Sequence, residues 1–381
     1  MGKDRPAHES LQGGEPAVTR LCIAAGGTGG HIFPAIAFAE WVLSNEPGVS
    51  ISFVCGSRPM ENEIYASRGY VPLCLPLSGS PFGAPGFVAC LRRWKETVSS
   101  WFFFRNFLRE EECDCCVLFG GYVSFIPLLA CHIRGIPTVV HEQNGAAGKI
   151  TRLASRLGKT VASGWNVCRP LKPGRFVSTG IPVRAFEQKK RGDAWNRLTK
   201  GKPFPKNNII GVLGGSLMSE RLIQLLGCVV QDMESQKLTY LLLGEPNDRI
   251  RDDFFTQHPE NAVFLGRQWD MSDFYSVIDA AVARGGASTL SELMAWKIPS
   301  VIIPWREAAD NHQEMNAECF VNMAAGEMWR EDDPLDDLRD KILRVLRNIN
   351  EHEKRFSEGD ESERLWRLIS SSTGREINYR G

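Results

Sequence analysis

The chain has 381 residues, more than a single hydrophobic core ordinarily fills, so two domains are expected. At 43% hydrophobic and 24% charged residues, its composition excludes a disordered chain, a collagen-like repeat and a coiled coil. Lys plus Arg and Asp plus Glu both total 45, and this zero net charge argues against nucleic acid as a partner.

Residues 1–19 are polar and lack the apolar stretch of a signal peptide, so they read as a disordered extension. From residue 20 short apolar runs alternate with helical patterns, the grammar of βαβ units around a parallel sheet. Arg20–Ala25 reads as a strand, followed by the turn Gly26-Gly27-Thr28-Gly29-Gly30-His31 and a helix from about Pro34 to Leu43. Proline suits a first helical turn, where a missing N–H costs little. Ile51–Cys55 and Leu73–Leu75 are the next strands. Cys115–Phe119 leads into Gly120-Gly121-Tyr122 and a helix, and Pro137–His141 ends in Glu142-Gln143-Asn144. Glu187 to Lys206, rich in Lys, Arg and Pro, reads as a solvated linker or surface loop. A second series follows: strands Ile209–Leu213, Tyr240–Leu243, Ala280–Ala283 and Ser300–Ile303, with helices at Glu220–Gln231, after Gly244-Glu245 and after Gly285-Gly286. Helical patterns after Leu335 and around Leu365 close the chain.

The resulting organisation is an α/β protein of two similar doubly wound parallel-sheet domains in tandem. The first covers 20–184, the linker 185–206 and the second 207–350, with 351–381 as a helical segment expected to pack back on the first. Eleven cysteines are too sparse for a disulfide scaffold, and Cys22, Cys55, Cys115 and Cys116 sit in apolar runs. A reducing, cytoplasmic compartment is expected. Cys113-Asp114-Cys115-Cys116 lacks a second Cys/His pair at zinc spacing and continues as a strand, so these read as structural thiols. No run approaches about 18 apolar residues, so no spanning helix is expected.

In such sheets ligands bind beyond the carboxyl ends of the strands, and every glycine turn above lies there. Gly26 to Gly30 bares backbone N–H groups just before a helix, an arrangement suited to a diphosphate. The dinucleotide fingerprint fails at Ile32, although Arg58 keeps an NADP-dependent dehydrogenase in view. Gly148-Lys149 resembles a P-loop ending, yet Gln143 and Ile150 stand where Gly and Ser/Thr belong. Glu292, in a first helical turn, suits a ribose diol or plain dipole complementation. Gln313 and Asn316, three apart, suit sugar hydroxyls or a solvated face. No D-x-D pair occurs, so neither metal nor other cofactor is expected, and backbone amides, His31 and Arg184 would stabilise a leaving diphosphate. His31 follows the glycine turn and is a candidate general base or phosphate contact.

The segments GGTGGHIFPAIA (26–37), GGYVSFIP (120–127), PTVVHEQNGAAGKITRLAS (137–155), TGIPVR (179–184), GGS (214–216), GGASTLSE (285–292) and NHQEMNA (311–317) together resemble glycosyltransferase family 28. Within that family the match is to the enzymes that add N-acetylglucosamine (GlcNAc) during bacterial peptidoglycan synthesis. The resemblance implies a GT-B fold, two Rossmann-like domains facing a central cleft. It implies metal-free, inverting transfer from UDP-GlcNAc, held by the second domain. The acceptor would be the MurNAc C4 hydroxyl of undecaprenyl-diphospho-MurNAc-pentapeptide (lipid I), held by the first. By position, Thr28, Gly29, Gly30, Asn144 and Arg184 would contact the donor, Ser216 would lie by its diphosphate, and Ala287, Ser288, Thr289, Leu290, Ser291 and Glu292 would surround the nucleotide. Glu292 would take the ribose and Gln313 the sugar with Asn316 beside it, while Gln268 lies near the uracil. Gly26, Gly27, Tyr122 and His141 fall on the acceptor side, and Glu142 joins His31 as a catalytic candidate. The chain departs from the family's pattern at Leu217-Met218-Ser219 and at Ala283. A UDP-GlcNAc 2-epimerase and a non-enzymatic sugar-nucleotide binder are the rival readings.

Residues 86–109 mix bulky aromatics with five cations against a single acid. Such a segment suits the surface of an anionic membrane, with contact through Arg92, Arg93, Trp94, Trp101, Phe102 and Arg105. A peripheral location at the cytoplasmic face of the inner membrane follows as the expectation, in agreement with a lipid-linked acceptor.

Overall fold

The computed structural model describes residues 20–80, 86–215, 219–230, 238–244, 262–323, 326–351, 356–357 and 359–373. Residues 1–19, Ser216 and the helix expected after Gly244 lie outside them.

The first half builds a seven-stranded parallel sheet from β1 (Arg20–Ala24), β2 (Ser50–Cys55), β3 (Leu73–Cys74), β4 (Cys115–Leu118), β5 (Thr138–Glu142), β6 (Thr160–Ser163) and β7 (Val177–Ser178), in the order β3-β2-β1-β4-β5-β6-β7. The second half builds a six-stranded sheet from β8 (Ile209–Leu213), β9 (Thr239–Leu243), β10 (Ala262–Leu265), β11 (Ala280–Ala283), β12 (Ser300–Ile302) and β13 (Gly326–Met328), in the order β10-β9-β8-β11-β12-β13. Parallel strands covered by helices on both faces have no solvent side, which is why β4, β5, β8 and β11 are buried at every residue. In both sheets the order reverses beside the first strand. The switch points therefore fall between β1 and β4 and between β8 and β11, where doubly wound sheets open a ligand crevice.

Three expectations need correction. The first helix spans Gly29–Asn45 and begins within the glycine turn, so Pro34 lies inside it rather than in its first turn. The stretch expected as a solvated linker contains a helix, Arg191–Thr199. Ala194 and Trp195 are buried against Phe274 and Tyr275 of the second core, and the Trp195 Nε1–H donates to the Lys202 carbonyl at 2.9 Å. One apolar face outweighs the surrounding lysines and arginines. The short strands β6, β7, β10 and β13, the last three at sheet edges, went unread.

The last helix, Glu361–Ser372, follows the second half in sequence but belongs to the first half in space. Leu365, Trp366 and Ile369 are buried in the same cluster as Leu21, Ile23, Phe38 and Val139. Side chains of that size contribute about 1.5–3 kcal/mol each when fully buried.

Candidate active site

At the first switch point the turn after β1 meets the turn after β4. Gly121 has φ +78°, and a Cβ there would collide with the Gly26 carbonyl oxygen, so only glycine lets the two turns touch. The Gly27 amide, expected to face a ligand, instead donates to Oε1 of Glu61 at 2.8 Å. The same carboxylate accepts from the Gly56 amide at 2.6 Å and from the Tyr122 hydroxyl at 2.7 Å. Glu61 is fully buried, in the first turn of helix Pro59–Ala66, where three hydrogen bonds and the helix end offset its desolvation. Burial, and then the contact with Glu61, push the Tyr122 hydroxyl up, so Tyr122 remains a donor. Gly27 and Tyr122, expected on the acceptor side, thus hold a buried acid. Thr28, Gly29 and Gly30 remain at the helix end, whose first amides have no intrahelical acceptor.

His31, one residue further on, is half-buried, and its Nδ1 lies 2.8 Å from Oε1 of Gln143. His141, also expected on the acceptor side, is buried with Nε2 2.8 Å from the Gly180 carbonyl. Burial lowers its pKa to about 4. Glu142 is not the open base expected of a catalytic residue. Its Oε1 accepts from the backbone and side-chain amides of Asn144 at 3.1 Å, and its Oε2 from the Gly148 amide at 2.8 Å and the Thr151 hydroxyl at 2.6 Å. These four bonds fix the 142–151 loop.

Several expected donor contacts join the two halves instead. The Ser288 hydroxyl donates to the Gly30 carbonyl at 2.9 Å. That carbonyl is available because Pro34, four residues on, has no N–H to give it. Asn316, fully buried, accepts from the Gly145 amide at 2.8 Å and donates to Oδ1 of Asn144 at 3.1 Å and to the Gly285 carbonyl at 2.9 Å. Its amide has no N–H left to donate to a sugar. Gln313 uses Oε1 to hold the Gly285 and Trp305 amides at 3.2 and 2.9 Å. Arg184 and Glu292 form a buried ion pair at 3.0 Å, with Arg184 also donating to the Trp269 carbonyl at 2.6 Å and stacking 4.0 Å from the Phe33 ring centre. The second oxygen of Glu292 accepts from the Tyr275 hydroxyl at 2.6 Å. The Glu292 carboxylate expected to bind a ribose is therefore enclosed by its own protein partners.

Within helix Ala287–Ala295 the side chains of Ala287 and Leu290 are buried in the core, leaving only backbone for a ligand. The Ser291 hydroxyl donates to the Ser288 carbonyl at 2.9 Å, and Ser291 lines a separate cavity of about 480 Å³ with Trp41, Trp165 and Phe356. Thr289 is half-buried in the first turn. Gln268 folds its Nε2 onto the Gly266 carbonyl at 3.1 Å.

At the second switch point sits a cation that the sequence reading passed over. Arg284, buried at the end of β11, pairs with Glu331 at 2.6 Å and donates through Nε and a terminal nitrogen to the Ser219 hydroxyl at 3.0 and 2.8 Å. Burial lowers its pKa, against the pull of Glu331. Glu61 and Gln143 were likewise missed. The available signals were a carboxylate just after Pro59 and a cation or amide directly at a strand end. Among the described residues no group of three or more His, Cys, Asp or Glu is arranged to hold a metal ion.

On the first half's surface, helix Phe87–Glu110 turns its apolar side outward. Phe87 is 82% and Phe102 56% exposed, with Leu91, Trp94 and Val98 between them, while Thr97, Ser100, Phe104 and Leu108 face inward. Arg92, Lys95, Arg105 and Arg109 are exposed among the aromatics. Two of the six expected contact residues turn away. Arg93 is half-buried and donates to the Ser80 carbonyl at 2.8 Å, and Trp101 packs on the core. No helix among the described residues is long and apolar enough to cross a membrane.

Residues 21–163 match the glycosyltransferase family 28 N-terminal domain and residues 209–365 its C-terminal domain. Over 362 residues the chain is 30% identical to the UDP-N-acetylglucosamine–N-acetylmuramyl-(pentapeptide) pyrophosphoryl-undecaprenol N-acetylglucosamine transferase of Carboxydothermus hydrogenoformans, covering 89% of this chain and 94% of that enzyme. The enzyme of the same name from Crocosphaera subtropica is 30% identical over 93% of this chain and 100% of its own. The crystal structure of Acinetobacter baumannii MurG shares the fold with a TM-score of 0.66 at 23% identity, covering 93% of this chain and 99% of that one. UDP-GlcNAc 2-epimerase from Neisseria meningitidis bound to UDP-GlcNAc shares it with a TM-score of 0.63 at 12% identity, covering 92% of this chain and 100% of that one.

Proposed function

The chain belongs to glycosyltransferase family 28, and we propose that it transfers GlcNAc from UDP-GlcNAc to the MurNAc C4 hydroxyl of lipid I, yielding lipid II and UDP for peptidoglycan synthesis. The observation that carries the reading is the Ser288–Gly30 hydrogen bond, which brings the amide-bearing helix ends of both halves together one residue from His31. The acceptor hydroxyl attacks the anomeric carbon from the face opposite UDP, so the transfer inverts. As the bond from that carbon to the β-phosphate oxygen breaks, His31 takes the hydroxyl proton on Nε2. The charge left on UDP is met by the amides of Gly29, Gly30 and the first turn of helix Ala287–Ala295. At about 1.5–3 kcal/mol for each charge-assisted hydrogen bond, a few of these replace a divalent ion.

The outward aromatic and cationic face of helix Phe87–Glu110 holds the enzyme on anionic lipid at the cytoplasmic face of the membrane, where its acceptor is anchored. Each exposed cation contributes about 1 kcal/mol there. The 2-epimerase reading gives this face no task.

The test incubates the protein with radiolabelled UDP-GlcNAc and a lipid I analogue, with EDTA present. Label should pass to the lipid in β linkage at an undiminished rate. Epimerised sugar in the absence of acceptor, or dependence on added magnesium, overturns the proposal.

A further inference from the structure

We propose that Gln143 is a positioning residue that fixes the tautomer of His31, leaving the lone pair on Nε2 for the reaction. The inference rests on the reading of His31 as the base. Gln143 is almost fully buried, and its Nε2 lies 3.0 Å from the His141 carbonyl oxygen, which can only accept. That contact settles which end of the amide is nitrogen and which is oxygen. The same Nε2 lies 3.1 Å from Nδ1 of His141. The other nitrogen of that ring faces the Gly180 carbonyl at 2.8 Å, so it carries the proton and Nδ1 accepts.

With its nitrogen committed to His141, the amide presents Oε1 to Nδ1 of His31 at 2.8 Å. An amide oxygen only accepts, so Nδ1 of His31 must carry a proton. A neutral His31 then has its free electron pair on Nε2. The order is dictated from two backbone carbonyls, which no change of pH converts into donors. Gly120 leaves room for the ring in this position, because a Cβ there would stand only 3.1 Å from both Nδ1 and Cε1 of His31. The titratable groups around this corner are His141 behind Gln143, Tyr122 beyond Gly27, and Glu61, which is bonded to Tyr122 and Gly27.

The test uses the full chain labelled with ¹⁵N-histidine, in three variants. In the unaltered protein His31 should show a protonated Nδ1 and an unprotonated Nε2 by nitrogen chemical shift, and Gln143→Met should abolish that assignment. Gln143→Met should lower kcat at least tenfold and by no more than the roughly 10²–10⁴ a general base is worth, while KM for UDP-GlcNAc changes less than twofold. Gln143→Glu, which sets a carboxylate beside Nδ1–H, should regain part of kcat and move the acid limb of its pH profile upward. An unchanged Nδ1–H signature in Gln143→Met, or an unmoved limb in Gln143→Glu, overturns the assignment. His31→Ala separates the two ideas. If that variant keeps kcat and its acid limb, His31 is not the base, whereas the nitrogen shifts still decide what Gln143 does.

Discussion

The two switch points share one strand order and differ in what they bury. Beside β1 the protein has placed its own anion: Glu61 occupies the amides of Gly27 and Gly56. Beside β11 it has placed a cation, Arg284, whose guanidinium reaches Ser219 just past the Gly214-Gly215 turn. The Glu61 carboxylate opposes a phosphate only at the two amides it occupies and leaves Gly29 and Gly30 at the helix end free of it, while the Arg284 guanidinium backs the second turn as half of an ion pair with Glu331. The topology offers two equivalent crevices, and the protein fills part of the first with its own carboxylate and backs the second with an ion pair.

Glu61→Ala should show the largest effect. It strands two amides and a phenol in the core and should cost about 3–5 kcal/mol by urea unfolding, with UDP affinity kept in the folded fraction. Loss of UDP binding without loss of stability would show that Glu61 acts on the ligand rather than on the packing of its turn. His141 gives the next effect, on the first half alone. Its pKa of about 4 lies below the ordinary 6.5, so the buried neutral ring stabilises the fold fully above pH 6.5, and that contribution is lost as pH falls through 4. The change is on the order of 3 kcal/mol. His141→Gln should remove this acid slope from urea midpoints taken between pH 7.5 and 4, and parallel curves would count against it.

Arg284→Met should weaken UDP binding by about 1.5–3 kcal/mol in calorimetry, the worth of hydrogen bonds to a charged group, and an unaltered affinity would leave the second turn without its distinction. Arg92→Glu with Arg105→Glu should release the protein from anionic vesicles by removing at least about 2 kcal/mol of surface attraction, with co-sedimentation as the readout. Ser288→Ala, which cuts one neutral bond between the turns, should raise KM for the donor by about 0.5–1.5 kcal/mol and leave thermal stability nearly untouched.

Much of the architecture was legible because parallel strands buried on both faces must be apolar throughout, as Ile209–Leu213 and Cys115–Leu118 are. Glycine turns at their ends were legible for the same local reason. What fills those turns was not. Glu61 reaches Gly27 across 34 positions, Gln143 reaches His31 across 112, and Arg284 reaches Glu331 across 47. Asn316 read as a sugar ligand because an amide on a helix face looks alike whether it meets water, a ligand or Gly145. The helix within 185–206 was hidden for a different reason, since Ala194 and Trp195 are few among many cations.

The placement of Glu361–Ser372 also bears on how the chain comes off the ribosome. Synthesis runs from the amino end, and an N-terminal half ordinarily folds while the rest is being made. Here Leu365, Trp366 and Ile369 are the final pieces of the first half's interior. That half waits with an open apolar socket through the translation of the entire second half. A chain truncated before residue 361 would lack these three side chains and leave that socket open.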